Sequence, residues 1–127
     1  MKPLAAALIL GSMALAMPVL AQAPSTFPAG DAAKGKTTFT QVCAVCHTAK
    51  SGPLGPTLTG VYGRKAGSAA DFAYSRGMTA SGITWDDAKL DAYLAAPTKV
   101  ITGGKMAINV AKPADRANVI TYLKTLK

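Results

Sequence analysis

Glutamate is absent from all 127 residues, and histidine occurs once, as His47. Cysteine occurs twice, as Cys43 and Cys46, and aromatic residues make up only 6 % of the chain. Each shortage removes a class of chemistry. Without glutamate or a second histidine, nothing of those types is left to act as a general acid or base beside His47. A structural zinc site takes four Cys/His ligands, and this chain has only three such residues. There is no convincing strand pattern and no internal repeat, which leaves a helical reading. Basic residues outnumber acidic ones, for a formal charge of +8, yet Lys34, Lys36, Lys50, Arg64, Lys65, Arg76, Lys89, Lys99, Lys105 and Lys112 form no dense run. That dispersal, together with the export argued below, speaks against nucleic acid and for an acidic protein partner.

What the chain does have is concentrated in one stretch. Val42-Cys43-Ala44-Val45-Cys46-His47 holds both cysteines and the only histidine. Cys-x-x-Cys-His is the attachment pattern of a c-type haem. The spacing puts two thiols about a helical turn apart, within reach of two vinyl groups of one haem, with the imidazole beside them to ligate iron. A thioredoxin-like dithiol would need a strand–helix–strand context, which is missing. A plain disulfide would leave His47 without a role. The expected cofactor is therefore one haem c, held by two thioethers, with His47 on its iron.

The first residues read as an export leader. Lys2 gives a positive tip, and Leu4 to Ala21 is apolar apart from Gly11, Ser12 and Pro18. Cleavage is expected after Ala21, with Ala23 as the other option. The run falls short of the ~20 apolar residues of a spanning helix, so no permanent membrane anchor is expected. Residues 22–29 form a Pro/Ser/Ala tail expected to be mobile, and one domain is expected over 30–127. Export places the cysteines in an oxidising compartment, where thioether bonds solve the problem of free thiols. So small a core stabilises only modestly by itself. The chain is expected to fold poorly before its cofactor is attached.

Within that domain the pattern predicts three main helices and two long loops. Asp31 is placed to cap a helix over 32–42, with Ala32, Gly35, Phe39 and Val42 at helical spacing. Residues 48–73 hold Gly52, Pro53, Gly55, Pro56, Gly60, Gly63 and Gly67 and read as a loop of the cofactor-wrapping kind. Thr84 is the expected cap of a second helix that ends at Pro97, with Leu90, Tyr93 and Leu94 on one face. Residues 100–111 form the second loop. Pro113 opens a last helix with Val119, Ile120, Tyr122, Leu123 and Leu126 as its apolar stripe.

The second axial position cannot be another histidine. Met106, in a glycine-bearing loop, is the preferred ligand, because a thioether suits low-spin iron and raises its potential. Lys105 and Met78 are the other options, Met78 being by default a core filler.

Taken together, these blocks resemble the small soluble class I cytochromes c, close to the mitochondrial type and its bacterial relatives. The resemblance runs through Gly30-Asp31-Ala32-Ala33-Lys34-Gly35-Lys36, the haem motif, Gly55 to Gly67, Phe72-Ala73-Tyr74-Ser75, Gly82-Ile83-Thr84-Trp85, Lys105-Met106 and Asp115 to Lys124. It implies an all-α cytochrome c fold wrapped round one haem. It also implies that the Pro56 carbonyl takes the His47 ring N–H, that Arg64, Tyr74 and Trp85 bind the inner propionates, and that Tyr93 lies near the methionine sulfur. Gly35, Phe39 and Tyr122 would join the first and last helices. The implied role is a monomeric periplasmic one-electron carrier and not an enzyme. Its acidic redox partners would be a bc-type complex, a terminal oxidase, a photosynthetic reaction centre or a periplasmic dehydrogenase. Met78, Gly104 and Ile108 depart from the family pattern, and the looser Met106 loop leaves a second expectation: a peroxidase-like or gas-binding site that opens.

Overall fold

The computed structural model describes residues 27–127. The expected leader, 1–21, and residues 22–26 of the expected tail lie outside the described residues. Among the described residues there are five α-helices: α1 (Ala32–Thr38), α2 (Arg76–Ala80), α3 (Asp87–Ala95), α4 (Pro97–Val100) and α5 (Pro113–Leu123). Among the described residues the one β feature is an isolated antiparallel bridge between Lys65 and Thr84. None of these helices is long and apolar enough to cross a membrane.

The first helix starts where the sequence placed it. The Asp31 carboxylate accepts hydrogen bonds from the amides of Ala33 (2.8 Å) and Lys34 (3.1 Å), two of the N–H groups that no helical partner satisfies. These bonds hold the Asp31 carboxyl below its ordinary range, with the Lys34 amide the largest cause. The helix does not run unbroken to Val42. After Thr38 it widens into a π-helical turn, Phe39–Cys43, closed by Ala44 N–H donating to Phe39 O at 2.8 Å. One extra residue per turn rotates everything after it, a device often found beside functional sites. Here it precedes the two cysteines.

Helix α5 packs across α1, and glycine allows the approach. A Cβ on Gly35 would overlap the Asn118 carbonyl and come within 2.9 Å of Tyr122 Cβ. Gly30 is equally crowded, by the Ala117 carbonyl. Phe39 and Tyr122 close the crossing with ring centroids 5.2 Å apart. Asp31 N–H donates to Asn118 Oδ1 at 2.8 Å, and Gly30 N–H to Thr121 Oγ1 at 3.1 Å. Residues 27–29, the end of the expected mobile tail, border a hollow against Ala117, Ile120 and Thr121 of α5.

The start of α3 corrects one expectation. Its cap is Asp86, whose carboxylate accepts from Lys89 N–H at 2.8 Å, and not Thr84. Thr84 is held in the bridge instead. Ala66 N–H donates to Ile83 O (2.8 Å), Trp85 N–H to Arg64 O (3.0 Å) and Gly63 N–H to Trp85 O (2.7 Å). This extended clamp fixes Trp85 before the helix begins. The buried residues Leu90, Tyr93 and Leu94 of α3 meet Val119, Ile120 and Leu123 of α5, with Val61, Trp85, Ile101 and Val110 from the loops completing the core.

Two ion pairs join α3 to α5. Lys124 Nζ lies 2.6 Å from Asp87 Oδ1, and Arg116 Nε 2.7 Å from Asp91 Oδ1. Arg116 also donates to the carbonyls of Val110 (3.0 Å) and Ala111 (2.8 Å), tying the second loop to α5. Its side chain is only 11 % exposed. Arg116→Ala should therefore cost about 2 kcal/mol of stability, a charged hydrogen-bond donor being lost from three acceptors. A denaturant titration checks this through the midpoint at unchanged slope.

Candidate functional site

The helices and loops enclose a cleft of about 1320 Å³, its open mouth included. Its walls carry every site residue expected from the sequence: Cys43, Cys46, His47, Pro56, Arg64, Tyr74, Trp85, Tyr93 and Met106. They come from six separate segments, and only the fold brings them together.

One wall is the cysteine segment. Below the π-turn the chain makes one helical turn, with Cys46 N–H and His47 N–H both donating to Cys43 O, at 3.1 and 2.9 Å. The two thiols are not paired with each other. Burial raises the Cys43 thiol above its ordinary value, which keeps it protonated at neutral pH. His47 Nδ1 lies 2.9 Å from the Pro56 carbonyl. A carbonyl only accepts, so Nδ1 carries the proton and Nε2 is left with its lone pair free for a metal. Gly55 makes this possible. A Cβ there would press on Cys46 O at 2.8 Å and on the imidazole at 3.0 Å.

The floor and far wall are apolar and aromatic. Trp85 and Tyr93 are 6 % and 8 % exposed, their rings 5.0 Å apart and tilted. Burial also raises the Tyr93 hydroxyl's pKa. Neither the indole N–H nor the Tyr93 hydroxyl has a hydrogen-bond partner among the described residues. Both belong to residues that line the cleft. Tyr74 meets Phe72 edge-on at 5.0 Å. Met106 and Met78 both line the cleft and pack, half-buried, against the core. Arg64 is more committed than the sequence suggested: its guanidinium donates to the carbonyls of Thr59 (2.9 Å) and Thr57 (3.1 Å). Those two bonds stiffen the loop behind the cleft and leave the remaining N–H groups for an anion. Ile108 and Leu54 are 56 % and 67 % exposed and also line the cleft.

A profile of the Cytochrome c family matches residues 32–127. The chain belongs to the cytochrome c family. It is 47 % identical over 106 residues to cytochrome c2 of Rhodomicrobium vannielii, covering 80 % of this chain and 83 % of the relative. To cytochrome c of Chlamydomonas reinhardtii it is 44 % identical over 107 residues, covering 79 % and 96 %. Among solved structures, cytochrome cH from Methylobacterium extorquens superposes with a TM-score of 0.71 at 45 % identity. That match spans 76 % of this chain and 99 % of the neighbour. This class I c-type cytochrome is an electron-transfer protein with one covalent haem c, all-α in fold, and not an enzyme.

The cytochrome's cleft fits that cofactor on its own chemistry. It offers a large apolar hollow, a pair of thiols at one helical turn, an imidazole with Nε2 free, and unpaired donors on Trp85 and Tyr93. Among the described residues no cluster of three or more His, Cys, Asp or Glu could hold a bare metal ion. Sequence reasoning had not identified Lys65 or Ser75 as lining residues. Their side chains give no periodic or motif signal, and only the bridge at Lys65 and the cap of α2 at Ser75 place them there.

Proposed function

We propose that this protein is an exported, periplasmic one-electron carrier whose haem is held by Cys43 and Cys46 and ligated by His47 and Met106. When bound, the haem supplies an iron that exchanges a single electron between its ferric and ferrous states. The observation that carries the reading is that one cleft is lined by His47, whose Nδ1 is engaged by Pro56, and, besides the two cysteines, by the sulfurs of Met106 and Met78. The chain's own residues do the rest. Pro56 fixes the imidazole tautomer, Trp85, Tyr74 and Arg64 offer N–H and O–H donors to the propionates, and Tyr93 lies beside the methionine. A dry, apolar wall keeps water from the metal and raises its potential. With His47 and Met106 both holding the iron, no position on it would be left for a substrate.

On this reading residues 1–21 are a cleaved leader, and the mature chain acts as a monomer. Lys36, Lys99 and Lys105 steer it to acidic surfaces of its donor and acceptor, in contacts smaller than about 1,200 Å². Those partners are respiratory or photosynthetic redox proteins such as a bc-type complex, an oxidase, a reaction centre or a periplasmic dehydrogenase. The second-order rate with a bc-type complex or oxidase should fall at least tenfold between about 20 and 300 mM salt. Stopped-flow kinetics over that range is the check, and a flat response would remove the steering. N-terminal sequencing of the protein recovered from the periplasm tests the leader: the first residue should be Gln22.

A further inference from the structure

Helix α2 meets the base of the loop that carries Met106, and the meeting point is a glycine. A Cβ on Gly77 would overlap the Thr102 carbonyl oxygen and come within 3.3 Å of Ile101 Cγ2. Glycine weakens a helix relative to alanine, so what this position gains is a close approach of backbone. Residues two apart on a helix point to opposite sides. On the side away from Gly77, Thr79 is pressed by Gly67, where a Cβ would lie 3.0 Å from Thr79 Cα. The loop base is anchored too: Ile101 is 2 % exposed, and its N–H donates to Pro97 O at 2.9 Å. Gly103 follows with φ +73°, and Gly104 N–H donates back to Ile101 O at 3.0 Å. Thr102 thus links an anchored residue to a tight turn, and Met106 lies two residues beyond that turn.

We propose that Gly77 is a positioning residue: carrying no side chain, it lets α2 seat against the Thr102 carbonyl, and that seat sets where the Met106 loop leaves the core. This rests on the reading of Met106 as the sixth ligand. The same short helix supplies Met78 to the cleft lining, and Ser75 Oγ caps it by accepting from Met78 N–H at 3.2 Å. Cleft wall and loop base are therefore held in one register. A methyl added at Gly77 would have to displace a backbone carbonyl, which cannot rotate aside as a side chain does. Thr102 is the partner that moves, because it is exposed and followed by two glycines, whereas α2 is gripped by Gly67. The displacement then reaches Met106 and not the buried core.

The test uses the holoprotein as wild type, Gly77→Ala and Gly35→Ala at pH 7. Two rates are read: carbon monoxide binding by the ferrous protein, and hydrogen exchange of the amides of residues 103–106. Gly77→Ala should raise both about tenfold, in keeping with the usual cost of overpacking. Gly35→Ala also drives a Cβ into a backbone carbonyl, but at a residue that does not line the cleft. It should lower the melting temperature at least as much and leave both rates within twofold of wild type. Rates for Gly77→Ala within twofold of wild type would overturn the proposal, as would an equal rise in Gly35→Ala. The ferric far-red absorption band of the wild type separates the two claims. If it is absent, the Met106 ligand reading fails, and the exchange rates alone then decide whether Gly77 sets the loop.

Discussion

The double variant Cys43→Ala/Cys46→Ala should yield a protein with no covalently bound haem and no cooperative thermal transition. The reason lies in what surrounds the cleft. Val61, Trp85, Leu90, Tyr93, Leu94, Val110, Val119 and Leu123 are all buried, and all face the same hollow. An unfilled apolar hollow costs roughly 24 cal/mol per Å³. A cavity of about 200 Å³ would then cost about 5 kcal/mol. Domains of this size have only about 5–15 kcal/mol of net stability. The cofactor would thus be a large part of the core, and the thioethers would keep it there. Haem staining after denaturing electrophoresis reports attachment, and circular dichroism during heating reports cooperativity. A sharp melt from the haem-free variant would show that the polypeptide core suffices by itself.

Gly35→Val should lower the melting temperature of the holoprotein by more than about 10 °C. The first side-chain carbon would overlap the carbonyl of Asn118, which is backbone and cannot rotate aside, and would crowd Tyr122 Cβ at 2.9 Å. Either α1 and α5 separate along the crossing or the end of α5 distorts. Overpacking usually costs 1–3 kcal/mol, and a clash with backbone belongs at or above the top of that range. For a domain of about 100 residues, each kcal/mol lowers the midpoint by roughly 4–8 °C. Gly52→Ala is the control: a Cβ there meets nothing within 4 Å, and its melt should match wild type within about 2 °C. Equal loss in both variants would mean that the helix crossing is not the sensitive point.

These expectations show which features the sequence carried. Asp31 as a cap, Pro113 at the first turn of α5 and the stripe Val119–Ile120–Leu123 each follow from a local rule, and the structure has them. The Cys-x-x-Cys-His motif was equally legible, because cysteine and histidine occur nowhere else in the chain. What escaped depends on contacts between distant segments. Thr84 looks like a helix cap, yet its backbone is taken by the bridge to Lys65, and Asp86 caps in its place. Helices α2 and α4 are five and four residues long, too short for any periodicity to register. The π-turn at Phe39–Cys43 has no composition of its own. Arg64 could be assigned a charge but not its bonds to Thr57 and Thr59. Lys105 could be counted among the basic residues, but its acceptor lies 32 residues away, on Ala73.

The claim that His47 and Met106 together hold the iron is tested most directly by the optical spectrum of the ferric protein, for wild type and Met106→Ala. A methionine sulfur on ferric haem gives a weak far-red band. The account predicts that band in wild type, its loss in Met106→Ala, and a ferrous variant that takes up carbon monoxide readily where wild type does not. A wild-type protein that lacks the band and binds carbon monoxide at once would contradict it, and would make the cleft an open ligand site.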